Sequence, residues 1–223
     1  MAVLLIRLAE VDSTQAFLRR NAHLGFCAAV ADRQIEGRGR QGNRWESAPG
    51  AGLWLSAALP PPADVAPGIL LQRAMAAAAR ILDPEGKHLG LKWPNDLVAW
   101  RDGRLVKLGG ILGEQSGTRL ILGLGVNLFS APHLPERAIP PACLKDLGLA
   151  CPDPAALAIP ILHAWNNLEQ DSQVLFRWPD AGVPIRWEDG QGTCLGWERD
   201  GRLKVTTADG IRRLSAGDVS GLN

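Results

Sequence analysis

Short apolar runs broken by Gly, Pro, Asn and Asp dominate this chain, and only three stretches carry apolar residues at helical spacing. Residues 3–8 read as a short buried strand. Asp12-Ser13-Thr14-Gln15 then offers oxygen-bearing side chains to free N–H groups, with Gln three residues after Asp12, and predicts a helix to about residue 21. Residues 26–31 are strand-like again. From 33 to 52 all periodicity is lost in a Gly- and Arg-rich segment, a loop of the length that compact domains usually reserve for binding loops or lids.

A strand at 53–59 ends in Pro60-Pro61-Pro62, and the Ala-rich pattern of 65–82 predicts a packed helix. Residues 89–93 resemble a strand end, with Pro94-Asn95-Asp96 as its turn. The β-like runs 97–100, 105–114 and 119–127 are separated by Arg101-Asp102-Gly103 and Gln115-Ser116-Gly117, which predicts an antiparallel meander. Residues 130–152 form a Pro-rich connection, and 154–177 predict an amphipathic helix. After Trp178-Pro179-Asp180-Ala181-Gly182 the pattern changes to short strands with Gly turns, at 183–188, 193–198, 203–207 and 211–214, as in a small β-barrel appended to an α+β domain.

Composition narrows the class. The 223 residues are 46% hydrophobic and 21% charged, which fits a soluble globular protein and excludes disordered, collagen-like and disulfide-scaffold chains. Single cores stop growing near roughly 250 residues, so the length suits one main domain with a small second one. Twenty-four basic residues against 23 acidic leave a net charge of +1, too little for a whole-molecule field toward nucleic acid or an anionic membrane. From Val183 onward the charges balance, with Arg186, Arg199, Arg202, Lys204, Arg212 and Arg213 against Glu188, Asp189, Glu198, Asp200, Asp209 and Asp218, which argues against an RNA-binding barrel. The start of the chain lacks the features of a secretory signal, and no apolar run approaches the ~20 residues that span a bilayer. Cys27, Cys143, Cys151 and Cys194 form no C-x-x-C pair and read as reduced thiols of a cytoplasmic protein. Four scattered histidines give no expectation of a protein-built metal site.

Candidate chemistry concentrates in Gln34-Ile35-Glu36-Gly37-Arg38-Gly39-Arg40-Gln41-Gly42-Asn43-Arg44-Trp45. Gly37, Gly39 and Gly42 have the spacing of a dinucleotide fingerprint, but Pro49, Gly50 and Gly52 forbid the helix that motif needs. As a P-loop the segment fails as well, because Asn43-Arg44 replaces Lys-Ser/Thr. What remains is a loop presenting Arg38, Arg40 and Arg44, whose guanidinium forks suit phosphate or carboxylate, and Trp45, whose ring suits a purine. Taken alone it suits equally a solvated basic loop with its Trp packed on the core. Lys92-Trp93-Pro94-Asn95-Asp96 places polar side chains just after a strand, although the same residues make an ordinary turn. Lys107-Leu108-Gly109-Gly110-Ile111-Leu112 sets one Lys beside glycines that admit a ligand close to backbone, and Gly123-Leu124-Gly125-Val126-Asn127 repeats the pattern with an amide.

Taken in order, these segments resemble the catalytic domain of the biotin protein ligases, the biotin-[acetyl-CoA-carboxylase] ligases. The resemblance implies a mixed sheet packed with helices, class II synthetase-like, over residues 1–178 and a C-terminal SH3-like β-barrel over 179–223. It further implies that ATP adenylates biotin with Mg²⁺ and that the biotinyl group passes to a lysine of a biotin carboxyl carrier protein or domain. By the same resemblance Lys107, Arg38, Arg40 and Asp96 are catalytic. Biotin falls to Ser13, Thr14, Gln15, Gln34, Gly37, Arg38, Gly39, Arg40, Lys107, Gly110 and Gly123, and ATP to Arg38, Arg40, Arg44, Trp45, Asn95, Lys107 and Asn127. No protein metal ligands are assigned. The loop from Gly37 to Trp45 is expected to order over the reactive acyl-adenylate and exclude water.

Two departures stand out. Family members often carry a basic residue at the place of Asn43, and a small one is common where Glu36 stands. The first motif begins at Asp12, which leaves no room for the winged helix-turn-helix of the repressor members, so the expectation is an enzyme without DNA or membrane partners, monomeric or weakly dimeric. A lipoate or octanoate ligase of the same fold is the nearest alternative, disfavoured by Gln34 and the Gly-Arg-Gly-Arg run. A noncatalytic ligand- or RNA-binding module is the other.

Overall fold

The computed structural model describes residues 3–61, 65–134, 136–166, 168 and 176–222. Its main sheet has eight strands: β1 (Leu4–Val11), β2 (Cys27–Gln34), β3 (Gly52–Leu59), β4 (Leu89–Lys92), β5 (Asp96–Arg101), β6 (Arg104–Ser116), β7 (Arg119–Asn127) and β8 (Arg177–Trp178). The spatial order is β1-β2-β3-β7-β6-β5-β4-β8. Pairing is parallel at β1/β2 and β4/β8 and antiparallel elsewhere, so β5, β6 and β7 form the expected meander.

Strand alternation assigns the two faces. Ala28 and Val30 of β2 and Leu53, Leu55, Ala57 and Leu59 of β3 meet the helices α2 (Pro67–Leu82) and α3 (Pro154–Trp165) in the large core. Cys27, Ala29, Ala58 and Ile121 point the other way, against Leu18 of the helix α1 (Thr14–Arg20). Covered on both sides, β3 is buried along its whole length.

The C-terminal unit is a five-stranded antiparallel sheet of β9 (Pro184–Trp187), β10 (Gly190–Trp197), β11 (Leu203–Thr207), β12 (Gly210–Leu214) and β13 (Ser220–Gly221), in the order β12-β11-β10-β9-β13. It matches the anticipated SH3-like unit, with β13 as an additional two-residue strand. Its core of Ile185, Cys194, Leu203, Val205, Leu214 and Val219 also takes in Trp93, whose Nε1 donates to the Gly201 carbonyl at 3.0 Å. Gln72 of α2 donates to the same carbonyl at 2.8 Å.

Two expectations need correction. The predicted helix over 154–177 stops at Trp165, and Arg177–Trp178 is a strand. Residues 167 and 169–175 lie outside the described residues. The free edge of β4 demands partners for its backbone groups, and takes them from Phe176 and Trp178, whose carbonyls accept from Leu91 and Trp93 at 3.0 and 2.8 Å. At α1 the N-cap is Ser13, accepting from Ala16, so no box forms between Asp12 and Gln15. Asp12 instead grips Arg20 through two bonds of 2.5 and 2.8 Å, which hold its carboxyl at about 2. Gln15 is thereby released to face the site.

Candidate active site

The parity that builds the large core turns Trp54 and Ser56 of β3, and Gly123, Gly125 and Asn127 of β7, toward the α1 side. Strand β6 departs from it. Lys107 and Gly110 are three residues apart and would face opposite sides of a regular strand. The register slips between them: Lys107 pairs with Val98 and Gly109 with Leu97, leaving Leu108 as an extra residue. This bulge brings both Lys107 and Gly110 to one cavity, the re-aiming that bulges beside functional sites perform.

The cavity holds about 420 Å³ and is closed by α1, the 35–47 loop, the 131–141 segment and the chain around Asp218 to Ser220. Ser13, Thr14, Gln15, Gln34, Arg38, Gly39, Arg40, Arg44, Trp45, Asn95, Asp96, Lys107, Gly110, Gly123 and Asn127 all line it. Gly37 does not. It is buried where the loop crosses itself, and a Cβ there would lie 2.5 Å from the Trp45 carbonyl, so its small size serves packing of the loop.

One end is a polar network with a determined direction. The Thr14 backbone N–H donates to Gln34 Oε1 at 2.8 Å, so that atom is an acceptor, and the Thr14 hydroxyl donates to it as well at 3.0 Å. The 2.7 Å contact of Thr14 with Ser56 is then donated by Ser56, and Gln34 Nε2 donates to Ser47 at 3.1 Å. Left over are one N–H of Gln34, the Ser13 hydroxyl proton and the Ser56 lone pairs. Gly123 faces Gln15, for a Cβ on it would lie 2.6 Å from the Gln15 side chain.

The middle of the cavity is charged. Lys107 Nζ lies 2.7 Å from Asp96, Asp96 lies 3.9 Å from buried Lys92, and Lys92 lies 2.5 Å from Asp218. Burial raises the Asp218 pKa, but Lys92, with a contribution from Lys107, outweighs it and leaves the carboxyl below its ordinary value. Arg40 donates to the Gly217 carbonyl at 2.8 Å and to Asn95 at 3.4 Å, and Asn95 in turn donates to Ile111 at 2.7 Å. The Trp45 ring lies against Gly125, where a Cβ would be 2.8 Å from it, edge-on to Trp54 and 5.8 Å below the Lys107 ammonium. Its Nε1 is buried without a partner.

The loop itself is built, rather than structureless as its sequence suggests. Gly39 donates to Asn43 at 2.7 Å and Trp45 to Gly37 at 2.8 Å, around a tight turn with Gln41 at φ 54°.

Residues 11–127 match the biotin/lipoate A/B protein ligase family. The chain belongs to it. A biotin--[acetyl-CoA-carboxylase] ligase of Mycobacterium tuberculosis (strain ATCC 25618 / H37Rv) is 32% identical, across 95% of this chain and 86% of that protein. The bifunctional ligase/repressor BirA of Bacillus subtilis (strain 168) is 28% identical across 95% and 71%. The biotin protein ligase of Aquifex aeolicus in complex with biotin and ATP superposes with a TM-score of 0.79 at 26% identity, covering 98% of this chain and 99% of that one.

In this member of the biotin/lipoate ligase family several cavity residues were not assigned to the site from the sequence: Ser56, then Lys92 and Gly125 although they stand within its motifs, Asp218, and the 131–141 segment with Arg137. A lone Ser inside the apolar run 53–59 was a signal for the first, and the length of the Pro-rich connection for the last. Asp218 gave none, since it meets Lys92 across 126 residues of sequence. Among the described residues no helix is long and apolar enough to cross a membrane.

Proposed function

We propose that the chain is an ATP-dependent biotin protein ligase. A biotin carboxylate oxygen attacks the α-phosphorus of ATP; that O–P bond forms, the bond to the β-phosphate bridge breaks, and pyrophosphate leaves. The biotinyl-5'-AMP then meets a lysine amine of a biotin carboxyl carrier protein or domain, which takes the acyl carbon, expels AMP and loses a proton.

The observation that carries this reading is the Lys107 ammonium, held by Asp96 in the same cavity as Arg38 and Arg40. A carboxylate and a phosphate repel, and fixed cations between them both neutralise the approach and stabilise the charge that develops. Asp96 orients Lys107 and is a nearby carboxylate for the proton of the incoming amine. Trp45 gives the nucleotide an aromatic wall, and the ties of Asn95 and Asn127 to backbone carbonyls hold that region rigid.

The free groups at the polar end support biotin over lipoate. A ureido ring has one carbonyl, which suits the Gln34 N–H and the Ser13 hydroxyl, and two N–H groups, which suit acceptors such as Ser56. A dithiolane ring satisfies none of these, at a cost of about 1–3 kcal/mol for each buried group left unpaired.

Among the described residues no three His, Cys, Asp or Glu side chains stand together as a metal site. Magnesium keeps several waters and needs only one or two carboxylates beside the phosphates, so the cavity carboxylates Glu46 and Glu136, which pair with no cation among the described residues, would be the ones to hold an ion brought by the nucleotide, and it would help neutralise the leaving pyrophosphate. In this reading residues 1–178 carry the chemistry and 179–223 close the site from the side.

The test is incubation of the purified protein with labelled biotin, ATP and a carrier domain, with and without the carrier lysine. Label must enter the carrier only when ATP and that lysine are both present. Tighter titration by lipoate than by biotin would reject the substrate assignment.

A further inference from the structure

We infer that Arg137 supplies a phosphate-binding cation to this site. The inference rests on the ATP-dependent reading above and adds to it the residue that meets the leaving pyrophosphate.

Within the loop, Asn43 is uncharged and its amide donates to the Arg40 carbonyl at 3.0 Å. Arg44 turns one guanidinium N–H back on its own loop, donating at 3.3 Å to Ile35. Of the remaining cavity cations, Lys107 and Lys92 are paired with carboxylates and Arg40 is held by Gly217. The side chains of Arg38 and Arg137 make no hydrogen bond or ion pair among the described residues. An unspent guanidinium in a cavity wall is suited to the bidentate capture of phosphate oxygens.

The backbone brings Arg137 to the right place. Its segment is clasped to the Lys107 strand: Lys107 N–H donates to the Pro140 carbonyl at 2.9 Å, and Ala142 N–H donates to the Lys107 carbonyl at 2.8 Å. Asn127 adds a bond to the Ala142 carbonyl at 3.1 Å. Arg137 is three residues before Pro140, so its Cα lies within about 11 Å of that clasp, and its long side chain covers much of this span. It is exposed, as is Arg38, and both line the cavity, so both guanidinium groups are accessible to an anion entering from solvent. Glu136 beside Arg137 lines the same wall and forms no ion pair with it.

Biotin-dependent exchange of labelled pyrophosphate into ATP tests this. Arg137→Ala should raise the KM for both ATP and pyrophosphate about tenfold or more, the loss of one charge-assisted hydrogen bond, and leave the KM for biotin unchanged. Arg137→Lys should recover part of the loss. Arg104→Ala, which removes an exposed charge at the β5/β6 turn, should change neither constant. An unchanged KM for ATP in Arg137→Ala, an equal rise in the KM for biotin, or the same rise in Arg104→Ala overturns the inference. Absence of exchange in the unsubstituted protein would instead reject the ligase reading on which it rests.

Discussion

Replacing Lys107 with alanine separates catalysis from folding in this chain. The ammonium is 2.7 Å from Asp96, and its side chain is about one-third exposed, while Asp96 keeps Lys92 at 3.9 Å. Loss of Lys107 therefore does not strand a buried carboxylate. At that exposure the pair contributes no more than about 1 kcal/mol, which corresponds to a shift of roughly 2–4 °C in Tm for a chain of this size. The core face of β6 is untouched, because Val106, Leu108 and Ile111 supply it. The catalytic cost is larger by far. Removing one preorganised donor from a developing oxyanion lowers kcat by about 10²–10³, or about 2.7–4 kcal/mol. Pyrophosphate exchange and a thermal melt on the same preparation should show a loss of at least about 100-fold in kcat with a nearly unchanged Tm, and Lys107→Arg should restore part of the rate. A kcat within a few-fold of the unsubstituted protein would refute the role given to Lys107, whereas collapse of the melt would refute the account of its packing.

Two glycines that look alike in sequence should behave differently. In Gly125→Ala the new methyl would sit 2.8 Å from the Trp45 ring, which must move, at about 1–3 kcal/mol and with a raised KM for ATP. In Gly110→Ala the nearest atom, on Asp96, is 3.6 Å away, so the melt should not change and any loss should appear only in ligand titration. The Asp12 carboxyl is held at about 2 by Arg20. An acid with a lowered folded-state pKa adds stability above its unfolded value near 4 and loses it as pH falls toward 2, so Asp12→Asn should flatten the acid limb of stability in that window. The pair is partly exposed, and denaturant titration should read at most about 1 kcal/mol. Cleavage within residues 38–44 by limited proteolysis should fall when biotin and ATP are added together, and an unchanged pattern would argue against the loop as a lid.

Local chemistry made most of the fold legible. Alternation found the strands of the meander, and the oxygen-bearing residues at 12–15 found the start of α1, although the choice between Asp12 and Ser13 as cap depended on Arg20 one turn and more away. The end of α3 was not legible, because the edge of β4 recruits 176–178 and no periodicity within 154–177 reports that demand. Fifteen of the residues assigned to the site from its motifs do line one cavity, since those motifs sit on β6 and β7, at the β4/β5 turn, at the start of α1 and on a loop, whose places are fixed by the sheet.

What stayed hidden depends on pairings between distant residues. Lys107 and Gly110 would be assigned to opposite faces by period-two counting; only the slip against Leu97 and Val98 places them together, and a bulge has no residue signature in Leu108 itself. The C-terminal sheet read as an appendage because the pattern changes to short strands with Gly turns after 178–182, and its balanced charges gave no hint of a contact with the main sheet. Yet Asp218 neutralises buried Lys92, the Gly217 carbonyl holds Arg40, and Trp93, next to β4 of the main sheet, fills the core of the smaller one. A buried lysine without its carboxylate is costly, and Lys92 shares Asp96 with Lys107. Separating the C-terminal sheet would therefore leave Lys92 competing with Lys107 for one carboxylate. The smaller sheet thus acts on the position of the cation on which the proposed chemistry depends.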